Sequence, residues 1–306
     1  TGEYEEDCET DRKALKLRDK RRADQNKVTR IPRFMIQPVD DMISGIGRGH
    51  LGMIMAPPGR GKSMMLAWMS VVLAQQGWSV MYVTLEDPID DVENRLDALI
   101  TSIKIKDLAI PDMAKKTGFR FQNYRRNVRG RLRVIDCTEQ DTTLAQIEAE
   151  WERMRQQGWM ANVVIIDYDQ ILKLPPSRID KRHELDQLYV DMVHFARRNH
   201  VMFWTASQTY ANADDKVGIL TMKDIAEHKG KMRHVTMAIS LGKANEKKWP
   251  EGTICFGVPK HRNDRSFQSC HIVPDMEYMR IYDVERTAEA INDVSDSPPD
   301  IDAKEE

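Results

Sequence analysis

Residues 51–63 read LGMIMAPPGRGKS and give the strongest indication of the fold. Its apolar first part is typical of a buried β-strand. Residues 56–63, the phosphate loop, fit the pattern G-x-x-x-x-G-K-[ST] with Ala56 in place of the first glycine. Gly59 and Gly61 let the backbone curl so that successive N–H groups point at phosphate oxygens. The apolar spacing of residues 62–76 predicts a helix whose positive N-terminal end faces the same anion.

The phosphate loop predicts a site for MgATP. The Lys62 ammonium is expected to contact the β- and γ-phosphates, and the Ser63 hydroxyl is expected to ligate Mg²⁺. A glycine-rich turn without a ligand is the alternative, and the strand before the loop and the helix after it argue against that alternative. The residues expected to surround the nucleotide are Ala56, Pro57, Pro58, Gly59, Arg60, Gly61, Lys62, Ser63 and Met64.

Strand-like and helix-like segments alternate around this loop. The strand-like segments are apolar throughout, which is typical of strands that are buried on both faces. Because helix-like segments separate them, the pattern predicts an α/β fold with a mainly parallel central sheet flanked by helices. The last strand candidates, 237–241, 253–258 and 278–282, predict a β-rich C-terminal part. The expected domains are a charged arm (1–30), one main domain (31–286) and an acidic tail (287–306). The arm is either a disordered end or a segment that orders against another subunit.

Three polar residues follow apolar strands and are expected beside the phosphate loop. Asp167 ends the run VVIID and is predicted to hold Mg²⁺, directly or through water. Glu86 is the candidate base that deprotonates the attacking water. The competing interpretation is that Glu86 or Asp87 caps the next helix, and both hold if Asp87 caps and Glu86 is catalytic. Gln208 is a candidate γ-phosphate sensor, although a turn is the default interpretation of Ser207-Gln208.

Composition limits the remaining possibilities. The formal net charge of -2 gives no global basic field, so nucleic-acid binding has to come from local loops. The four cysteines have no C-x-x-C spacing, which favours reduced thiols of a cytoplasmic protein over a zinc site. No apolar run approaches the roughly 18 residues of a membrane span, so no membrane partner is expected.

Together these motifs resemble the RecA-like motor domain of DnaB-type replicative helicases, over most of the chain. Residues 84–88 are similar to its glutamate segment, and residues 165–170 are similar to its Ile-Asp-Tyr-Leu-Gln stretch. Residues 85–99 also look like RepA-type hexameric helicases. Lys260-His261-Arg262-Asn263 resembles the family's K-x-R-N. This resemblance implies that Lys260 and Arg262 act in trans on the neighbouring subunit's γ-phosphate, whereas the alternative is a basic surface turn.

The resemblance implies an ATP-driven DNA helicase that forms a homo-oligomeric ring of six subunits on single-stranded DNA during replication. It also implies a primase and a helicase loader as candidate partners. The alternatives are a RecA- or KaiC-like ATPase that assembles without unwinding and a module that binds a nucleotide for structure only. Two loops, 175–181 and 222–233, are expected to contact DNA, although each is also readable as a solvated charge cluster. The candidate DNA contacts are Arg178, Lys181, Glu227, Lys229, Gly230, Lys231 and Arg233.

The chain departs from the family at two of these motifs. In the DNA-gripping loop, Ala226 replaces the family's arginine and the loop is one residue longer. After K-x-R-N the family usually has glycine, whereas this chain has Asp264. DNA contact is therefore only weakly specified by the sequence.

Overall fold

A computed structural model describes Lys16 and residues 31–139, 141–174, 181–226 and 230–284. The predicted arm, apart from Lys16, and the predicted tail lie outside these residues. The helices are α1 (Gln37–Met42), α2 (Lys62–Gln75), α3 (Ile89–Thr101), α4 (Pro111–Asn127), α5 (Leu144–Gln156), α6 (Lys181–Arg198) and α7 (Lys231–His234). The strands are β1 (Leu51–Ala56), β2 (Ser79–Thr84), β3 (Arg131–Asp136), β4 (Val163–Asp167), β5 (Met202–Gln208), β6 (Met237–Lys243), β7 (Ile254–His261), β8 (Gln268–Asp275) and β9 (Arg280–Asp283).

The described strands form a single sheet in the order β3-β2-β4-β5-β1-β6-β7-β8-β9. The first six strands in this order pair in parallel, and the last three continue the sheet as antiparallel neighbours. The predicted α/β class, with its β-rich C-terminal part, is therefore confirmed. Strand β8 and the helices α1, α4 and α7 were not predicted from the sequence.

The two faces of the sheet carry separate apolar cores. One core joins the sheet to α2 and α3, and the other joins it to α5 and α6. Helix α5 begins after Thr143, whose side chain and that of Gln146 cap each other's backbone N–H groups. None of the described helices is long and apolar enough to cross a lipid bilayer.

Strand β1 lies at the centre of the sheet and leads directly into the phosphate loop. All six of its residues are buried. An added Cβ at Gly52 would lie 2.4 Å from the indole ring of Trp204 on β5. The close packing of β1 against its neighbours therefore fixes the point from which the loop starts.

Candidate active site

The phosphate loop connects β1 to α2 through two glycines in the left-handed region. Gly59 has φ +72° and Gly61 has φ +85°, a conformation that other residues rarely adopt. Lys62 is the first residue of α2, and its ammonium donates hydrogen bonds to the carbonyl oxygens of Ala56, at 3.3 Å, and Pro57, at 3.1 Å. Burial lowers the pKa of Lys62, and the carboxylates of Asp167 and Glu86 oppose this shift. The loop therefore has a buried cation at its centre.

Asp167 lies at the same edge of the sheet, at the end of β4. Its Oδ2 accepts a 2.8 Å hydrogen bond from the Tyr82 hydroxyl, whereas its buried Oδ1 has no hydrogen-bond partner among the described residues. Burial raises the pKa of Asp167, while the hydroxyls of Tyr82 and Ser63 lower it. Mg²⁺ is bound in proteins by oxygen ligands, and an unpartnered carboxylate oxygen and the nearby Ser63 hydroxyl are a suitable pair of such ligands.

Glu86 follows β2 and lies next to Asp167. The parallel register pairs Thr84 with Asp167, and the Leu85 N–H donates to the Asp167 carbonyl oxygen at 3.0 Å. Glu86 is exposed, and its pKa is raised by partial burial and by the carboxylates of Asp87 and Asp167. A raised pKa suits a group that accepts a proton from water.

The predicted capping role of Glu86 or Asp87 is wrong. Helix α3 has Pro88 at its N-cap position, and no side chain forms a capping hydrogen bond there. The Asp87 carboxylate instead forms an ion pair with Arg95, in the second turn of α3. The sequence could not show this, because Arg95 is brought to Asp87 only by the turn of the helix.

Gln208 lies directly beside the start of the phosphate loop. In the parallel register it pairs with Ala56, and the next residue, Thr209, donates its N–H to the Ala56 carbonyl oxygen at 3.1 Å. The Gln208 side-chain amide donates to the Tyr168 hydroxyl at 3.0 Å. The structure thus brings the loop, Asp167, Glu86 and Gln208 together at the carboxyl edge of the parallel strands.

This arrangement agrees with the comparison to known families. The family model described as the DnaB-like helicase C terminal domain matches residues 34–219, more than half of the chain. The chain belongs to the DnaB-like helicase family. Membership implies a helicase domain that hydrolyses nucleoside triphosphates. Residues 260–263 lie outside the matched part of this DnaB-like chain.

Solved structures show the same fold. One solved structure, of an ATPase domain, has a TM-score of 0.73 at 16% identity, and the match covers 91% of this chain and 99% of that chain. A DnaB-like replicative helicase, described with its interactions with primase, has a TM-score of 0.70 at 17% identity. That match covers 82% of this chain and 61% of that chain. No curated protein matches the chain.

Lys260 and Arg262 do not lie at this site. Strand β7 is antiparallel to β6, so its first residue, Ile254, lies near the loop, 3.9 Å from the position of a Cβ added at Gly61. Its last residues lie at the other end of the strands, away from the phosphate loop. There the Lys260 ammonium donates to the Met232 carbonyl oxygen and, at 3.2 Å, to that of Arg233, and the Arg262 guanidinium donates to the latter as well.

The prediction that Lys231 contacts DNA is wrong for this structure. The side chains of Lys231 and Asp169 are both 0% exposed, and their charged groups are 2.7 Å apart. Asp169 also accepts a 2.7 Å hydrogen bond from the Tyr189 hydroxyl, and the Lys231 ammonium lies 3.3 Å from the Ser207 hydroxyl oxygen. The lysine therefore neutralises a buried carboxylate inside the protein.

The other predicted DNA contacts are only partly described. Arg233 is exposed, and Gly230 immediately precedes α7 and is buried. Arg178, Glu227 and Lys229 lie outside the described residues. Lys181 is the first residue of α6, and its side chain lies outside them as well.

Sequence reasoning missed several side chains around the site. Tyr82, Tyr168 and Asp169 are contact partners of the predicted residues, and Arg60 of the phosphate loop forms an ion pair with Asp214. Tyr168 and Asp169 directly follow Asp167, so a search for polar residues next to the predicted carboxylate was the available signal. Tyr82 lies within an otherwise apolar strand and gave no signal of its own.

Replacing Lys62 tests the nucleotide site. We expect Lys62→Ala to weaken binding of a fluorescent ATP analogue by about 10- to 150-fold, because a hydrogen bond to a charged group contributes about 1.5–3 kcal/mol. Lys247→Ala, which removes an exposed lysine outside the loop, is the matched control and should bind like the unmodified chain. Equal affinity of the two variants would exclude Lys62 from phosphate binding.

Replacing Asp169 tests the buried ion pair. Asp169→Ala leaves the Lys231 ammonium buried without its carboxylate, so we expect it to lower the free energy of unfolding by about 3–5 kcal/mol. The double variant Asp169→Leu/Lys231→Met removes both charges and should recover most of this loss. Urea unfolding of both variants measures the difference. A double variant as unstable as the single one would show that charge burial is not the cause.

Proposed function

We propose that this chain is the ATP-hydrolysing motor of a ring-forming DNA helicase, which moves along single-stranded DNA and hydrolyses ATP at the interfaces between subunits. The observation that carries the proposal is the separation of two sets of residues. The phosphate loop and its carboxylates lie at the carboxyl end of the parallel strands, and Lys260 and Arg262 lie toward their amino-terminal end. Family membership and the observed fold support the helicase assignment.

The residues at the phosphate loop can perform the first part of the reaction. The loop N–H groups and the Lys62 ammonium bind the β- and γ-phosphates once the ammonium leaves its carbonyl partners. Ser63 and Asp167 would hold Mg²⁺, which neutralises phosphate charge when bound. Glu86 orients the attacking water and accepts its proton, for which the raised pKa is suited.

Completion of the site requires a second subunit. Lys260 pairs with Ala238, which pairs with Met53, three residues before the end of β1. Because a strand extends by about 3.3 Å per residue, Lys260 lies about 10 Å from Ala56 along the strand direction, and its strand β7 is two strands away from β1. Since its ammonium also points at the Met232 carbonyl oxygen, it cannot reach the phosphates of its own subunit in this arrangement. An interface that repeats head to tail around a ring would bring it to a neighbour's site.

The strand that ends in Gln208 also contacts one of the loops predicted to bind DNA. The Gln208 carbonyl oxygen accepts the Ala226 N–H at 3.1 Å, and Thr209 forms a β-bridge with Ile225. These contacts lie immediately before residues 227–229. A shift of Gln208 on loss of the γ-phosphate would therefore move the start of this loop. DNA contact by Arg178, Lys181, Glu227, Lys229 and Arg233 belongs to the proposal, whereas the burial of Gly230 argues against its predicted contact with DNA. Contact with a primase or loader stays a prediction of the sequence resemblance.

Strand displacement on a forked duplex separates this function from the alternative. The proposal predicts ATP-dependent release of the labelled strand. ATP hydrolysis without strand release would favour a RecA- or KaiC-like ATPase that assembles without unwinding. ATP binding without turnover would indicate a nucleotide held for structure.

Mixing two inactive variants tests hydrolysis between subunits. Glu86→Gln should lower the turnover of ATP by about 10²- to 10⁴-fold, and Lys260→Ala/Arg262→Ala by about 10³- to 10⁵-fold. After subunit exchange at equal ratio, roughly a quarter of the interfaces would combine an intact Glu86 with an intact Lys260 and Arg262. We therefore expect the mixture to recover ATP turnover far above that of either variant.

The matched control mixes Glu86→Gln with Lys62→Ala. Both substitutions affect the same half of the site, so no interface in this mixture combines a complete phosphate loop with an intact base. The control mixture should stay inactive. Recovery in neither mixture would mean that Lys260 and Arg262 do not act across an interface.

The charge of Lys260 predicts a pH dependence. Burial, together with the nearby Arg262 guanidinium, lowers the pKa of Lys260 to about 8. The ammonium is therefore present below this pH and is lost as the pH rises through it, so kcat/KM for ATP should fall as the pH passes through the pKa of Lys260. Lys260→Arg keeps its charge over this range and should reduce the fall. Identical profiles for the two proteins would show that Lys260 is not the titrating group.

A further inference from the structure

A strongly basic segment covers the outer edge of the sheet. Residues 113–135 contain eight lysines and arginines and no aspartate or glutamate, although the whole chain has a formal net charge of -2. The segment comprises most of α4 and most of β3, which is the edge strand of the sheet. None of the functions described above uses it.

The side chains of two of the eight cations contact other residues within the described part of the chain. The Arg120 guanidinium donates to the carbonyl oxygens of Thr101, at 2.6 Å, and Ser102, at 3.2 Å, at the end of α3. The Arg133 guanidinium lies 4.8 Å from the ring centre of Trp159. The others are exposed and form no ion pair with any described residue: Lys115, Lys116, Arg125, Arg126, Arg129 and Arg131.

One side of α4 combines two of these cations with an exposed aromatic ring. Lys115, Phe119, Gln122 and Arg126 follow one another at spacings of four, three and four residues, which places them on the same side of the helix. Phe119 is 59% exposed. Tyr124 lies on the opposite side of α4 and packs against the apolar core. We use the name α4 surface for Phe119, Gln122 and the six exposed cations Lys115, Lys116, Arg125, Arg126, Arg129 and Arg131.

The chemistry of the α4 surface fits a single-stranded nucleic acid. Lys115 and Arg126 lie at the two ends of a line about 16 Å long, the length of about eleven helical steps, and can contact two phosphates of the same strand. An exposed ring between them offers a platform on which an unpaired base can stack. An acidic protein segment would need the cations and not the ring. A duplex would also leave Phe119 without a function, because its base faces are stacked on one another.

The α4 surface is separate from the nucleotide site. Strand β3 is the outermost parallel strand and is separated from β1 by three strands. Arg131 pairs with Ser79 at the start of β2, so it lies at the amino-terminal end of the parallel strands, whereas the phosphate loop lies at their carboxyl end. We propose that the α4 surface binds single-stranded nucleic acid as a second site, distinct from the two loops predicted to contact DNA. This site does not depend on the proposed motor function, because none of its residues belongs to the catalytic set.

The test measures binding of a labelled oligo-dT strand to the nucleotide-free chain as a function of salt. Phe119→Ala should weaken binding by about 5-fold or more, because base stacking on an aromatic side chain contributes about 1–3 kcal/mol. Phe119→Tyr keeps the ring and should restore binding. Arg125→Ala/Arg126→Ala should reduce the slope of log affinity against log salt by about 1.4, since each phosphate contact with a single strand contributes about 0.7.

The matched control is Arg153→Ala/Arg155→Ala. These arginines lie in the last turn of α5, as Arg125 and Arg126 lie in the last turn of α4, and they differ in being paired with Glu150 and Glu152. The control variant should keep the affinity and the salt slope. Hydrolysis of ATP without DNA should be unchanged in every α4 variant, which shows that the fold is intact and separates failure of this proposal from failure of the motor proposal.

Several results would overturn the proposal. The α4 variants could bind the strand like the unmodified chain, or Phe119→Ala could weaken duplex binding as much as single-strand binding. Light scattering could also show that Phe119→Ala changes the oligomeric state, which would make the surface a contact between copies of the chain. A strand containing 5-iododeoxyuridine should form a photo-cross-link within residues 113–131, and cross-links only elsewhere would count against the site.

Discussion

The candidate site is organised around a buried ammonium group at the carboxyl end of a parallel sheet. Lys62 is 8% exposed, and its charge is stabilised by two carbonyl oxygens of the phosphate loop and by the field of nearby carboxylates. Burying a cation is costly unless strong partners surround it. A polyphosphate is the partner that this loop, with its glycines and the start of α2, is shaped to accept.

The parallel register determines which groups surround this cation. Because β1 pairs with β5 and β2 pairs with β4, Gln208 lies beside Ala56 and Asp167 lies beside Thr84. A slip of one residue would turn these side chains toward the wrong face of the sheet. Close packing such as that of Gly52 against the Trp204 ring opposes such a slip, so the precision of the site depends on the core beneath it. A continuous set of contacts also joins the two edges of the sheet. Asp169 is paired with Lys231 at the start of α7, whose carbonyl groups accept hydrogen bonds from Lys260 and Arg262.

Local sequence patterns predicted the features that depend on local structure, and contacts between distant segments could not be predicted from spacing. The phosphate loop and the strand-end positions of Asp167 and Gln208 follow from short segments. Strand β8 was missed because only one of its residues is buried, and helix α4 was missed because it is basic and has a glycine in its middle. Lys231 has the sequence context of a basic loop residue, and only the fold shows that Asp169, 62 residues earlier, is its partner. The tertiary structure decides whether such a charge faces solvent or another residue.

The most direct test is a structure of the chain with Mg²⁺ and a non-hydrolysable ATP analogue. We expect the loop N–H groups of residues 59–63 to contact the phosphates, and the Lys62 ammonium to leave the carbonyl oxygens of Ala56 and Pro57 and bind them. A nucleotide bound elsewhere, or a Lys62 side chain that keeps its carbonyl partners while the nucleotide is bound, would contradict the assignment of this loop.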